Sequence, residues 1–151
     1  MVSVRAPRPP SPIIVVDTNI ILSVALGRRS RPAFEIIRAR RELVTSVRSV
    51  EEALGVLHDL KGVRETMTAQ TEAILRDLAI VEAAAYAKSL PEATHVLSHA
   101  VAFRNGSTSD AHFLACAWLL DADIWSHDRD FAGTGWPSWS NANLLRSLDA
   151  S

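Results

Sequence analysis

Ile-Ile-Val-Val-Asp-Thr-Asn, residues 13–19, is the pattern from which we infer the fold class of this chain. Four consecutive β-branched apolar residues without polar alternation are typical of a parallel strand that is buried on both faces. The run ends at Asp17, and a helical pattern follows from about Thr18. Ligands of open parallel sheets bind just beyond the carboxyl ends of the strands, so Asp17 is a candidate for chemistry. The alternative interpretation is that Asp17 only caps the following helix.

The composition is that of one globular domain. The chain has 151 residues, of which 48% are hydrophobic and 22% are charged, and these values exclude a largely disordered chain. No apolar run approaches the roughly 20 residues of a membrane span, so we expect no membrane partner. Cys116 is the only cysteine, which excludes an intramolecular disulfide and indicates a reducing, cytoplasmic setting. The net charge of −1 permits a polyanionic partner without requiring one.

Strand-like and helical segments alternate along the chain, which predicts an α/β domain with a parallel sheet between two helical layers. The predicted strands are Ile13–Val16, Leu43–Val44, Ala79–Val81, Ala122–Trp125 and Trp136–Trp139. The predicted helices are Ile20–Leu26, Pro32–Arg41, Ser49–Leu60, Val63–Leu78, Ala83–Leu90, Glu92–Ala102, Ser109–Leu120 and Asn141–Leu148. Residues 1–12 contain four of the seven prolines and are predicted to be a flexible leader, with residues 13–151 as a single domain.

Two acids are expected at the carboxyl ends of strands. Asp17 follows the first strand, and Asp128 follows the strand Ala122–Trp125. Because the carboxyl ends of parallel strands meet at one edge of a sheet, this spacing predicts that the two carboxylates share that edge. The alternative is that Asp128 is an ordinary turn residue. That interpretation explains less well why two acids follow strands in one small sheet.

Two further acids lie near the starts of apolar helices. Asp110 opens the helix Ser109–Leu120, where stabilising the helix dipole is the alternative role. Glu52 lies three residues after Ser49, and this pattern also reads as a capping box in which Glu52 would reach back to the Ser49 amide. From the residues alone, either Glu51 or Glu52 could be the functional acid of this helix.

Several carboxylates at one place need a counter-charge. Two carboxylates about 5 Å apart repel each other by roughly 3 kcal/mol at an effective dielectric constant of 20. Either some of the acids stay protonated or a divalent cation lies among them. Oxygen ligands without cysteine favour Mg²⁺ or Mn²⁺. The chemistry that suits such a site is the metal-assisted hydrolysis of a phosphodiester.

Four segments in this order resemble the PIN-domain nucleases, and in particular the VapC-type toxins of prokaryotic toxin–antitoxin pairs. They are Val15–Asn19, Ser49–Leu54, Ser109–Ala115 and Ile124–Phe131. The resemblance covers roughly residues 13–148 and implies a PIN-like three-layer α/β/α domain with a five-stranded, mainly parallel sheet. It also implies Mg²⁺- or Mn²⁺-dependent cleavage of single-stranded RNA to a 5′-phosphate and a 3′-hydroxyl, a homodimer, and a cognate antitoxin protein as partner.

The resemblance assigns roles to individual residues of this chain. It makes four acids both the catalytic residues and the metal ligands: Asp17, Glu52, Asp110 and Asp128. Three more residues match supporting positions, namely the polar residues Asn19 and Ser126 and the outer acid Asp130. The chain departs from the family pattern at residues 107–109, where related sequences often carry an extra charged residue before the third Asp.

The same residues allow other interpretations. A PIN-like module could bind RNA or a protein without cutting it. The basic loop of Arg28, Arg29 and Arg31 could follow a phosphate backbone, although a solvated loop is the simpler interpretation. His112 and His127 each lie close to a proposed acid in the sequence. They are predicted to pack or to form hydrogen bonds rather than to take part in catalysis.

Overall fold

The computed structural model describes residues 8–27, 30–60, 62, 65–100, 108–127, 131 and 133–149. Five parallel strands form one sheet in the order β3-β2-β1-β4-β5. Their bounds are β1 (Ile13–Val16), β2 (Glu42–Ser46), β3 (Ala79–Val81), β4 (Asp123–Trp125) and β5 (Ser138–Trp139). The predicted five-stranded α/β fold is therefore confirmed.

Helices lie in the connections from β1 to β2, from β2 to β3 and from β3 to β4, and one more follows β5. They are α1 (Thr18–Ala25), α2 (Ser30–Arg38), α3 (Val47–Asp59), α4 (Glu65–Arg76), α5 (Ala83–Tyr86), α6 (Leu90–Ser98), α7 (Ala111–Leu120) and α8 (Asn141–Asp149), with 3₁₀ turns at Ala87–Ser89 and Thr108–Asp110. Within the described ranges, none of these helices is long and apolar enough to cross a membrane.

The central strand β1 is buried on both faces. Ile14 and Val16 pack on one side of the sheet with residues of α1, α2, α4 and α8. Val15 faces the other side, where it packs with residues of α6 and α7. All three side chains are inaccessible to solvent, as expected for a parallel strand between two helical layers. The unbroken apolar run of the sequence thus has its physical reason in this double burial.

The strand order places a switch of direction beside β1. From β1 the chain proceeds outward to β2 and β3, and it then returns to β4 on the opposite side of β1. The pairing of β1 with β4 continues one residue past the strand, because the Asp17 amide donates to the Trp125 carbonyl at 3.0 Å. In open α/β sheets the ligand crevice lies at such a switch point, beyond the carboxyl ends of the strands. Asp17 borders that crevice.

The start of α3 differs from the prediction. The sequence pattern predicts that the helix begins at Ser49, but it begins at Val47. The Ser46 hydroxyl caps it by accepting a hydrogen bond from the Ser49 amide at 3.0 Å. The fifth strand is also shorter than predicted, because it begins at Ser138 and not at Trp136. Trp136 instead donates its indole N–H to the Ala122 carbonyl.

The amino edge of the sheet binds part of the expected leader. Asp123, at the start of β4, is 2% exposed and accepts hydrogen bonds from the Ser11 amide and the Trp139 indole. Arg8 forms an ion pair with the same carboxylate. The Asp123 amide in turn donates to the Ser11 hydroxyl at 2.7 Å. Asp123 therefore binds Arg8 and Ser11 to the start of β4. The predicted flexible leader, residues 1–12, stays a prediction, and residues 1–7 lie outside the described ranges.

The substitution Asp123→Ala tests how much this carboxylate stabilises the domain. It leaves one buried and one partly buried N–H donor without their acceptor, so we expect the free energy of unfolding to fall by about 2–4 kcal/mol. Urea denaturation measures the change. The matched control is Asp77→Ala, since Asp77 also pairs with an arginine but its side chain is 43% exposed. An exposed pair contributes only about 0–1 kcal/mol, so equal losses in the two variants would contradict a special role for Asp123.

Candidate active site

Asp17 has the position that the sequence predicts. It follows β1 directly, it is 4% exposed, and its Oδ1 accepts a hydrogen bond from the Asn19 amide at 3.0 Å. The capping role is thus real, and Asn19 contributes to it through its backbone while its side chain is exposed. A carboxylate offers about four acceptor positions on its two oxygens, so one capping bond is compatible with a further role.

Glu52 reaches Asp17's neighbourhood from the next strand–helix unit. Its Oε2 accepts a hydrogen bond from the Thr18 hydroxyl at 3.1 Å, and Thr18 directly follows Asp17. The Thr18 and Ser49 hydroxyl oxygens are 2.9 Å apart. Because a carboxylate only accepts, Thr18 donates to Glu52 and Ser49 donates to Thr18. This chain of hydroxyl groups links the start of α1 to the first turns of α3 and fixes one oxygen of Glu52.

The capping-box interpretation of Glu52 is wrong. The Ser49 amide is already bonded to the Ser46 hydroxyl, so it is not a partner for Glu52. Glu52 instead bonds to Thr18 and contacts Arg48, whose Nε lies 3.3 Å from Oε1. Glu51 is exposed. The cap lies three residues earlier than the pattern indicates, and the Glu52 side chain is therefore directed toward α1.

His112 approaches the same place from the first turn of α7. Asp110 is the N-terminal flanking residue of α7, but its carboxylate makes no capping hydrogen bond to that helix. His112 is buried, and its Nδ1 lies 2.6 Å from the Ser46 hydroxyl oxygen. The other ring nitrogen, Nε2, lies 3.4 Å from Glu52 Oε1. Side chains from α3 and α7 therefore meet at Glu52.

The imidazole of His112 is neutral at physiological pH. Its pKa is lowered from 6.5 to about 4, chiefly by burial and also by the Arg48 charge, while the Asp110 charge raises the pKa. The contact with Glu52 is therefore not an ion pair. The carboxylate faces Nε2, so we assign the ring proton to Nε2, and the Ser46 hydroxyl then donates to Nδ1. The opposite tautomer would direct a nitrogen lone pair at a carboxylate oxygen.

The remaining predicted residues have different outcomes. Ser126 is buried directly after β4, and its hydroxyl donates to the His127 carbonyl at 2.9 Å. The predicted fourth acid and outer acid, Asp128 and Asp130, lie outside the described residues. The same holds for Arg28 and Arg29 of the basic loop. Their predicted roles stay predictions.

Sequence reasoning missed the groups that bind the acids together. Thr18, Ser46 and Ser49 read as ordinary polar residues at helix starts, and their partners are distant in the chain. For His112 a signal exists, because it is the single polar residue in the otherwise apolar segment Ala111–Ala117. A polar side chain inside such a segment is buried and requires a partner.

The donors at this edge suit a hard cation. Within the ranges that the structure describes, no three His, Cys, Asp or Glu side chains are grouped closely enough to hold a metal ion. Mg²⁺, however, is commonly bound through one or two carboxylates while it keeps several waters. Asp17 and Glu52 supply oxygens of this kind. The donor chemistry therefore fits Mg²⁺ or Mn²⁺ better than a soft metal.

Helix ends add positive potential to the same edge. The helices α1 and α3 begin directly after β1 and β2, and α7 begins next to Asp110. Each helix N-terminus carries roughly half a positive charge from its unpaired N–H groups. These ends lower the cost of keeping Asp17 and Glu52 ionised, and they favour a phosphate group that approaches the edge.

A groove beside Glu52 leaves room for a ligand. It has a volume of about 520 Å³ and lies between the start of α3 and the α5–α6 region, with Arg48, Glu51, Tyr86 and Leu90 among its lining residues. A cavity of about 630 Å³ lies at the opposite, amino edge, between residues 8–12 and 38–42. The larger cavity is remote from the acids, so the smaller groove is the relevant one for chemistry.

The chain matches a known protein family. The family described as PIN domain matches residues 15–149 of this chain. No curated protein matches it at a significant level.

Solved structures with the same fold include components of toxin–antitoxin systems. VapBC2 from Rickettsia felis, bound to a DNA fragment from its promoter, is 15% identical over 85% of this chain and 98% of the matched chain, with a TM-score of 0.69. VapC20 from Mycobacterium tuberculosis, a toxin that cleaves the sarcin–ricin loop, is 19% identical over 82% and 95%, with a TM-score of 0.61. A protein from Pyrobaculum aerophilum is 16% identical over 91% and 96%, with a TM-score of 0.64. At these identities the likeness concerns the fold.

The pKa of His112 predicts a pH dependence of stability. Unfolding restores an ordinary pKa near 6.5, so between about pH 6.5 and pH 4 the unfolded chain binds a proton that the folded chain does not. We expect the free energy of unfolding to fall by up to about 3 kcal/mol across that window as the pH falls, and to be unaffected by this group above it. Urea denaturation in EDTA across that pH range, for the wild type and for His112→Gln, measures the contribution. Identical pH profiles for the two proteins would contradict it.

Proposed function

This chain belongs to the PIN domain family, and from that premise we propose that it is a metal-dependent endoribonuclease of the VapC toxin type. The substrate is single-stranded RNA, and the reaction is hydrolysis of a phosphodiester bond. The protein acts in the cytoplasm as a homodimer and is inhibited by a cognate antitoxin protein. The alternative is a PIN-like module that binds RNA or protein without cutting.

One observation carries the proposal. Asp17 and Glu52 come from two successive strand–helix units, and the hydroxyl of Thr18, the residue after Asp17, binds Glu52 directly at 3.1 Å. Glu52 is therefore bonded to the residue that follows Asp17, at the switch point of the sheet where α/β folds bind ligands, and this bond supports a site shared by the two acids. Carboxylates that share one place repel each other, and a bound divalent cation would offset that repulsion.

The cofactor is Mg²⁺ or Mn²⁺, held by Asp17 and Glu52 with Asp110 and Asp128 as the further acids of the set. When bound, the cation supplies Lewis-acid activation of the phosphate and of a water nucleophile. The chain's own residues prepare the site for it. Asp17 is held by its bond to the Asn19 amide. Glu52 is oriented by Thr18 and remains 34% exposed, so it is reachable from the groove.

The substrate and the partners are inferred from chemistry together with the fold relatives. The helix N-termini at this edge attract a phosphate group, and the groove beside Glu52 gives a neighbouring nucleotide room to bind. The relative VapC20 is described as a toxin that cleaves the sarcin–ricin loop. Another solved structure with this fold, from Klebsiella pneumoniae, is described as a toxin–antitoxin complex. These descriptions support RNA as the substrate and an antitoxin as the partner.

Cleavage assays with matched carboxylate variants test the function. Labelled single-stranded RNA and total cellular RNA, incubated with Mg²⁺ or Mn²⁺, should be cut by the wild type and not in EDTA. We expect Asp17→Asn and Glu52→Gln each to lower the rate by at least about 100-fold, because loss of a ligand should cost no less than loss of an outer-shell residue. Glu51→Gln is the matched control: Glu51 also lines the groove, but Glu52 is the acid bonded to Thr18, so the Glu51 variant should lose much less activity than Glu52→Gln.

The outcomes separate the two candidate functions. Metal-dependent cutting that is lost in Asp17→Asn supports the nuclease. A folded, metal-loaded wild type that binds RNA in a filter assay but cuts neither substrate would favour the binding module. An equal loss of activity in the Glu51 and Glu52 variants would contradict the assignment of Glu52.

A further inference from the structure

His112 has a polar atom whose hydrogen-bonding capacity is unused. Among the described residues, its Nε2 is a buried side-chain nitrogen without a hydrogen-bond partner. The Glu52 Oε1 atom lies 3.4 Å away, which is long for a hydrogen bond of this type. Buried polar atoms are nearly always paired, so an exception next to a candidate active site needs a physical explanation.

The imidazole is held rigidly, whereas Glu52 is more exposed. The Ser46 hydroxyl lies 2.6 Å from Nδ1, and Ser46 is itself fixed as the cap of α3. The ring of Phe113 packs against the imidazole, with the ring centroids 4.0 Å apart. Side-chain exposure is 1% for His112 and 34% for Glu52. Any adjustment of this contact is therefore made by Glu52.

Arg48 competes for the same oxygen of Glu52. Its Nε donates to Oε1 at 3.3 Å, and its side chain is 55% exposed. Two donors thus face Oε1, Arg48 from the solvent side and His112 from the protein interior. A hydrogen bond from Arg48 would hold the Glu52 carboxylate toward solvent, whereas one from His112 would hold it toward the interior.

We propose that His112 is a positioning residue, whose Nε2–H donates to Glu52 Oε1 when a divalent cation is bound and thereby orients that carboxylate. This inference rests on the proposed function, because it takes Glu52 as a metal ligand. Hydrogen bonds from outer residues orient metal ligands in many sites, and their loss typically weakens metal affinity about 10–100-fold. The Nε2 atom would then gain a hydrogen-bond partner on metal binding, and this bond would strengthen the binding.

Calorimetric titration with Mn²⁺ tests the proposal without measuring activity. His112→Phe keeps a ring of similar shape and removes the donor, so its Mn²⁺ affinity should fall about 10–100-fold. His112→Gln places an amide nitrogen close to the position of Nε2 and should stay near the wild type. Cys116→Ala changes a buried side chain one turn later in α7 and is the control for packing.

His112→Asn keeps the proposal testable if His112→Phe does not fold. The shorter amide can bond to Ser46 but does not reach Glu52, so Asn should lose affinity where Gln retains it. Equal Mn²⁺ affinities in the wild type and in Asn and Phe variants would overturn the positioning role. Equal losses in Gln and Asn would also overturn it, since packing would then explain the effect.

The wild type separates this inference from the proposed function. If the wild-type protein binds no Mn²⁺, metal dependence itself is wrong, and the positioning role is overturned with it. If the wild type binds Mn²⁺ and the histidine variants bind it equally well, only the positioning role is overturned.

Discussion

Double burial of β1 is the constraint on which the rest of the structure depends. Its inner residues are inaccessible to solvent on both faces, and both of its edges are paired, with β2 and with β4. A strand enclosed in this way can only expose its ends. Asp17 stands at the carboxyl end, where the chain leaves the sheet and α1 begins. The position of the first acid therefore follows from the burial of the three residues before it.

The site is assembled from contacts between successive strand–helix units. Ser46 caps α3, so Ser49 and Glu52 are available to meet Thr18 on α1. The same Ser46 hydroxyl faces His112 from α7. Hydroxyl groups suit this task because each of them both donates and accepts, and three of them connect three helices. The helix N-termini at this edge offset part of the repulsion between the carboxylates.

Stability and chemistry are separated between the two edges of the sheet. At the amino edge, Asp123 is fully paired with Ser11, Trp139 and Arg8. Nothing in that set of contacts resembles a reaction centre, since its carboxylate is enclosed by its donors. At the carboxyl edge, Glu52 remains accessible and His112 Nε2 lacks a partner among the described residues. Incomplete pairing is typical of functional sites, where a ligand completes the set.

Local patterns in the sequence are enough to predict how strands and helices alternate and which acids stand at their ends. An apolar run predicts β1, and the residue after it is necessarily at the strand end. The tertiary structure shows that Glu52, and not Glu51, accepts the hydrogen bond from Thr18. It also shows that Ser46, and not Ser49, caps α3. It also brought His112 to Glu52 and Asp123 to Ser11, across 60 and 112 residues of the chain. Such pairings depend on how helices pack on the sheet, and no spacing along the chain encodes them.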